Sequence, residues 1–404
     1  MSLLQHFIIK IKFHFLNTKD FILLNRERDV RELALQGGRY PEVDMAFALN
    51  QIAGWQTART KLPSWAECAD IIYPPHLSME QCSSEQTALY KSSLLEKGVS
   101  MTDLTGGFGV DFSFLARAFS SATYVERLAD LCDIARRNFE VFGLHHADVV
   151  CGDGVDFLRT MKPVDFIYLD PARRDLNGSR TYALEDCTPN VIELRDMLLE
   201  KARTVMIKLS PMLDWHKVID DLGCVSEVHV VSVRNECKEM LVVLRRDSNE
   251  PLRCYAVNDD ETVVFRASDA VASTVRLVSD ASEIHRGSYL FEPNASLMKL
   301  GCFGLLCERY GVKKIGAHSN LFIADESVDF PGRKFQISTV SSTNKKELRR
   351  NLSCITRANI AVRNFPISSQ DLRRQLKLKD GGDTYIFATT QGERNHLILV
   401  AEKV

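Results

Sequence analysis

One stretch constrains the fold more than any other. In residues 98–111 a short apolar run closes on the carboxylate of Asp103, and the chain then turns through Gly106, Gly107 and Gly109 into an amphipathic segment starting near Val110. Those periods predict a strand, a tight turn and a helix. Glycines at such a turn let main chain approach a ligand where a Cβ would collide, and a helix start offers N–H groups without intrahelical partners. A nucleotide-like ligand and a purely structural turn both satisfy these residues. The spacing Gly-Gly-x-Gly behind an acid differs from the Gly-x-Gly-x-x-Gly of dinucleotide sites, which disfavours a nicotinamide dehydrogenase.

The stretch opens a region of alternating strands and helices. Apolar runs at 99–104, 122–125, 148–151, 166–169, 204–209, 226–233 and 240–244 read as strands, with helical segments between most of them, including 128–142 and 191–201. This alternation predicts an α/β fold with a doubly wound sheet. Residues 235–238 are too short for a crossover, so the last two strands are expected to pair antiparallel. The outline is a Rossmann-like sheet of seven strands, five of them parallel and the last two a hairpin.

In open sheets of this kind ligands bind beyond the carboxyl ends of the strands. Those ends are acidic here. Asp103 follows the first strand, Glu126 the second, Asp153 (in Gly152-Asp153-Gly154) the third, and Asp170-Pro171-Ala172-Arg173-Arg174 the fourth. Each acid alone reads as a solvated strand end. Four at successive ends match an adenosine carrying an amino acid, with glycines beside the methionine part, an acid for the ribose hydroxyls and an acid for the adenine amine.

On the motifs D-L-T-G-G-F-G-V-D, Y-V-E-R, C-G-D-G and L-D-P-A-R-R, residues 85–246 resemble the class I S-adenosylmethionine-dependent methyltransferases. The resemblance implies S-adenosylmethionine as cofactor, contacted by Asp103, Thr105, Gly106, Gly107, Gly109, Glu126 and Asp153. A narrower resemblance is to bacterial methyltransferases with a C-terminal THUMP-like domain. Its carriers are S-S-E-Q-T-A-L-Y-K at 83–91, the Asp-Pro-Ala-Arg-Arg loop, Y-L-F-E-P-N-A at 289–295, A-N-I-A-V-R-N-F-P at 358–366, and K-D-G-G-D at 379–383. It implies an RNA substrate, ribosomal or transfer.

The loop at Asp170 is the expected catalytic element, with Asp170, Pro171, Arg173 and Arg174 as its site residues. Asp170 and the carbonyls near Pro171 can hold the lone pair of a target amine toward the methyl group, and most of the rate in an in-line displacement comes from such positioning. The loop resembles the D/N-P-P-aromatic loop of enzymes that methylate exocyclic amines of bases, but Ala172 and Arg173 replace the second proline and the ring. Arg173 and Arg174 can stack on a base or grip a phosphate, or simply pair with Asp175 or Glu185. Methylation at a pyrimidine C5 needs a cysteine nucleophile, and none follows the fifth strand in Lys208-Leu209-Ser210-Pro211-Met212; Cys187 is the only nearby candidate, so direct transfer is favoured over a covalent intermediate.

Overall charge conceals a local asymmetry. The chain carries a formal −2, but residues 331–404 hold 14 Lys plus Arg against 6 Asp plus Glu, hence +8. Lys345, Lys346, Arg349, Arg350, Arg357, Arg363, Arg373, Arg374, Lys377 and Lys379 cluster around two predicted helices, near 345–354 and 370–376. Such a face is either solvated or a phosphate-binding surface.

The expected organisation is a mainly helical region at 1–85, the methyltransferase domain at 86–248, an α+β ferredoxin-like connecting domain at 249–330 and the basic THUMP-like domain at 331–404. Residues 252–284 read as short strands, and 289–310 as a turn and helix. Eleven scattered cysteines without a C-x-x-C pair suggest reduced thiols, no metal and a cytoplasmic protein. Charges at Lys10, Lys12, Lys19 and Asp20 interrupt the apolar N-terminus, so no membrane segment is expected. The alternatives are a protein or small-molecule methyltransferase, and a non-catalytic RNA-binding protein.

Overall fold

The computed structural model describes residues 17–173, 183–392 and 394–404. It divides into two units. One takes the chain up to Leu209 with His216–Cys224 and Val242–Ser248, and the other takes Ser210–Trp215, Val225–Leu241 and Asn249–Val404.

In the first unit, helices at Thr18–Asn25, Met45–Lys61, His76–Gln81 and Glu85–Ser93 precede the sheet. Each of three starts where the sequence supplies a cap. Asn17, Asp44 and Ser84 accept hydrogen bonds from the amides of Asp20, Phe47 and Thr87. Ala58, Trp65, Met79 and Ala88 of this region share a core with Phe108, Val110 and Phe114, so the helices pack directly on the segment that follows the glycine turn.

The strands β1 (Gly98–Asp103), β2 (Phe119–Glu126), β3 (Ala147–Cys151), β4 (Val164–Leu169) and β5 (Ala202–Leu209) pair in parallel, in the order β3-β2-β1-β4-β5. Asp103 is in register with Tyr124 on one side and Tyr168 on the other, which places the ends of β1, β2 and β4 level. β6 (Val225–Val233) and β7 (Glu236–Arg245) follow as the expected hairpin. Its turn residues Arg234 and Asn235 both have positive φ, 51° and 61°, the geometry a two-residue turn between twisted strands requires.

The sheet has nine strands rather than seven. β8 (Arg253–Asn258) runs parallel to β6 and β9 (Glu261–Arg266) antiparallel to β8, giving the order β9-β8-β6-β7-β5-β4-β1-β2-β3. Period-two runs do announce strands after residue 250, but a strand's periodicity does not name its partner. A helix, Ala267–Ala272, then stands where short strands were expected.

In the second unit β10 (Tyr289–Pro293), β11 (Lys313–Gly316), β12 (Ser319–Ala324), β13 (Gly332–Ser342), β14 (Asn359–Arg363), β15 (Thr384–Gln391) and β16 (Asn395–Lys403) form one sheet, ordered β11-β12-β10-β13-β16-β15-β14. Residues 289–293 are therefore a strand, not a turn. Tyr289, Leu290 and Phe291 pair with both β12 and β13, and only at Asn294, which caps Ala295–Leu300, does the chain turn helical. Helices Lys345–Asn351 and Ser369–Leu376 match the two predicted basic helices. Leu290, Phe335 and Phe387 belong to one core, and Leu348, Leu372 and Ile386 to another, so Ile386 and Phe387 point to opposite faces as strand alternation demands. No described helix is long and apolar enough to cross a membrane.

Candidate active site

The glycine turn is built by packing as much as by backbone freedom. A Cβ on Gly106 would lie 2.2 Å from the Tyr124 ring, so only glycine fits there. Gly107 and Gly109 have φ of +56° and +80°, and nothing lies within 3.8 Å of the space a Gly107 side chain would take. Tyr124 donates its hydroxyl to the Gly107 carbonyl at 2.5 Å. Glu126 accepts from the Gly107 amide through Oε2 (2.9 Å) and from the Leu128 amide through Oε1 (2.8 Å). A carboxylate oxygen has two acceptor sites, so each oxygen of Glu126 retains one.

Asp103 is buried, with 1% exposure, and its Oδ1 accepts from the Thr105 amide at 2.9 Å. Burial pushes its carboxyl up to about 8, and the neighbouring charges of Asp111, Asp170 and Glu126 add to the rise. Asp153 caps helix Gly154–Thr160, accepting from Val155 (2.8 Å) and Asp156 (3.2 Å) through Oδ1, while Oδ2 lies 3.9 Å from Arg127. Among the described residues the ion pairs of this crevice go to Asp111, Asp153 and Asp170, and none to Asp103 or Glu126.

The loop after β4 is tied to the glycine turn. The Asp170 amide donates to Thr105 Oγ1 at 2.6 Å, and Lys208 Nζ holds Asp170 Oδ2 at 2.5 Å. Pro171 is buried, and the backbones of Ala172 and Arg173 pair with Thr188 and Cys187. Arg174 lies outside the described residues. The structure thus brings Asp103, Thr105, Gly107, Glu126 and Asp170 together at the strand ends, with Asp153 beyond β3.

A buried charge cluster beneath Asp170 had escaped sequence reasoning. Lys208 Nζ also donates to Ser83 Oγ (3.2 Å) and lies 3.7 Å from Asp111 Oδ2. Asp111 Oδ2 accepts from Ser83 and Tyr168 hydroxyls, each at 2.7 Å, and Oδ1 pairs at 3.2 Å with the fully buried Lys91. Burial opposes the charge of Asp111, but Lys91 and Lys208 outweigh it and hold the carboxyl well below the usual range. The signal was available in S-S-E-Q-T-A-L-Y-K, whose first and last residues, Ser83 and Lys91, both reach this cluster. Among the described residues no group of three or more His, Cys, Asp or Glu is arranged to hold a metal.

At the glycine turn Asp103 is buried and Glu126 half-buried, and among the described residues neither carboxylate is paired with a cation. That acceptor set fits a ligand with a cationic amino-acid part and ribose hydroxyls. Residues 332–403 match the THUMP domain-like family and residues 289–331 a family of ferredoxin-like domains. A solved structure from Porphyromonas gingivalis W83, described as a candidate methyltransferase, is 30% identical, covers 96% of this chain and 97% of its own, and superposes with a TM-score of 0.85. A curated relative, the protein-L-isoaspartate O-methyltransferase of Thermotoga maritima, is 31% identical over 78 residues, 19% of this chain and only a quarter (25%) of its own length. With its parallel sheet and hairpin, its acid-lined glycine turn and a likeness spanning nearly its whole length, the chain belongs to the S-adenosylmethionine-dependent methyltransferases that carry a C-terminal THUMP-like domain.

Proposed function

We propose that the protein methylates structured RNA, ribosomal or transfer, by direct in-line transfer from S-adenosylmethionine without a covalent protein intermediate. The observation that carries this reading is the crevice at the ends of β1–β4, where among the described residues no cation pairs with Asp103 or Glu126 while Lys208 holds Asp170. The cofactor supplies an electrophilic methyl group on a sulfonium. Asp103 receives its ammonium end beside Gly106, Gly107 and Gly109, Glu126 accepts from the ribose hydroxyls with its remaining acceptor sites, and Asp153 accepts from the adenine amine through Oδ2. Thr105 holds the Asp170 backbone in place.

Because Lys208 takes Oδ2 of Asp170, Oδ1 is the oxygen left to a target N–H among the described residues. Pro171 offers no competing N–H, and Arg173 and Arg174 grip a neighbouring phosphate or base. The basic helices Lys345–Asn351 and Ser369–Leu376 hold the RNA backbone. The test has two arms. Calorimetry should detect S-adenosylmethionine binding that Asp103→Asn weakens at least tenfold. Labelled methyl should then transfer to RNA from cells lacking the protein and not to RNA from cells that have it. Binding without transfer to any RNA refutes the substrate, and transfer to protein instead supports the second reading, which the partial likeness to the isoaspartate enzyme favours.

A further inference from the structure

Two stretches singled out by sequence, 289–295 and 358–366, have no part in the crevice. They meet in the second unit. Glu292 of β10 is in register with Arg333 of β13, and Arg333 donates to Glu292 Oε2 through Nε (2.8 Å) and Nη2. On its other oxygen, Glu292 Oε1 pairs with Arg363 Nη2 at 2.5 Å. In a flat sheet β10 and β14 would stand about 19 Å apart, four spacings of ~4.8 Å. The ion pair therefore records a sheet curled so that its edge strand returns toward β10.

Both arginines line a cavity of about 310 Å³, together with Asn359, Ser369, Tyr385 and the β14 residues between Asn359 and Arg363. The side chain of Glu292 is 5% exposed and those of both arginines 37%, so the carboxylate lies underneath and the guanidiniums form the wall. One arginine would neutralise Glu292. Two leave a net single positive charge, and each guanidinium is already held in place before any ligand arrives, which lowers the ordering cost of binding. Arginine's planar fork matches a phosphate bidentately, and the volume is at the small end of ligand sites, roughly 300–1,000 Å³.

We infer that the Arg333–Glu292–Arg363 cavity is a binding site for a phosphodiester of the RNA substrate, a defined single-phosphate anchor distinct from the basic helices. It rests on the RNA reading above, and names where that RNA is held.

The test uses the full chain without cofactor and a fluorescein-labelled mixed-sequence 12-nucleotide RNA, read by anisotropy over a salt series, with AMP and inorganic phosphate as competitors. Arg363→Met leaves the Arg333–Glu292 pair intact. It should weaken RNA binding about tenfold and lower the log–log salt slope by about 0.7, the share of one phosphate on a single strand. Arg363→Lys, which keeps the charge without the fork, should fall between. If melting shows that Arg363→Met does not fold, Arg363→Lys and Arg333→Lys carry the comparison. Wild-type affinity and slope in these variants would overturn the site while leaving the RNA reading intact. Absence of any RNA binding by the wild type would overturn both. Arg363-dependent binding of AMP or phosphate without RNA binding would overturn the assignment to RNA in favour of a free phosphorylated ligand.

Discussion

Replacing Asp111 by Asn tests whether the buried charges under Asp170 hold the first unit together. The change is nearly isosteric, so packing around Tyr168 and Ser83 is kept. What is lost is the charge facing Lys91 Nζ at 3.2 Å and Lys208 Nζ at 3.7 Å. Lys91 has no exposed side-chain area, and the Asp111 side chain only 10%, so water cannot take over. At an effective dielectric of 20, a 3.2 Å pair is worth about 5 kcal/mol, and removing one partner of a buried pair costs about 3–5 kcal/mol.

We expect Asp111→Asn to lower the opening free energy of helices Glu85–Ser93 and Val110–Leu115 by about 3 kcal/mol. The assay is native-state hydrogen exchange read by mass spectrometry, which isolates local opening in a chain of two units. The pH dependence should change as well. Because the folded carboxyl is held below its unfolded value of 3.8, its stabilisation is present above about pH 4 and is lost as pH falls through the depressed value. The Asn variant should lack that acid-dependent loss. In a second variant, Lys91→Met combined with Asp111→Asn should recover much of the stability, since it removes the buried cation that has lost the Asp111 carboxylate while Asn keeps an acceptor for Ser83 and Tyr168. A loss below ~1 kcal/mol in Asp111→Asn, or no recovery in the double variant, would refute the electrostatic account.

Three further outcomes follow from the crevice. Since burial pushes the Asp103 carboxyl up to about 8 and a cationic ligand needs its charged form, S-adenosylmethionine affinity should rise about tenfold per pH unit up to about pH 8. Calorimetry in buffers of different ionisation enthalpy should detect one proton released, and Asp103→Asn should abolish both effects. Gly106→Ala, which drives a Cβ to 2.2 Å from the Tyr124 ring, should destabilise the unit by more than ~2 kcal/mol in urea unfolding. Gly107→Ala, with open space and only an unfavourable φ of +56°, should cost about 1–2 kcal/mol. Lys208→Met should leave cofactor affinity within about twofold while lowering the single-turnover methyl-transfer rate at least tenfold, with partial rescue by Lys208→Arg; an unchanged rate would remove Lys208 from the positioning of Asp170.

Much of the first sheet was legible because its signals are local. The run into Asp103, the three glycines and the 3.6-residue period after Val110 each act over a few residues. Strand-end acids were legible for the same reason, since topology puts every parallel strand's carboxyl end on one side. The membership of strands Arg253–Asn258 and Glu261–Arg266 in this sheet, and the strand at Tyr289–Pro293, were not, because which edge a strand joins depends on partners far along the chain.

The chemistry divides in the same way. Residue order alone puts Asp103, Glu126, Asp153 and Asp170 at successive strand ends and so defines an acid-lined crevice. It also concentrates positive charge in the last 74 residues. Only tertiary packing decided that Lys208 would take one oxygen of Asp170, that Lys91 from the preceding helices would be buried against Asp111, and that Glu292 would join Arg333 to Arg363. Each of these is a contact between charges distant in sequence, and its strength comes from the water that folding excludes.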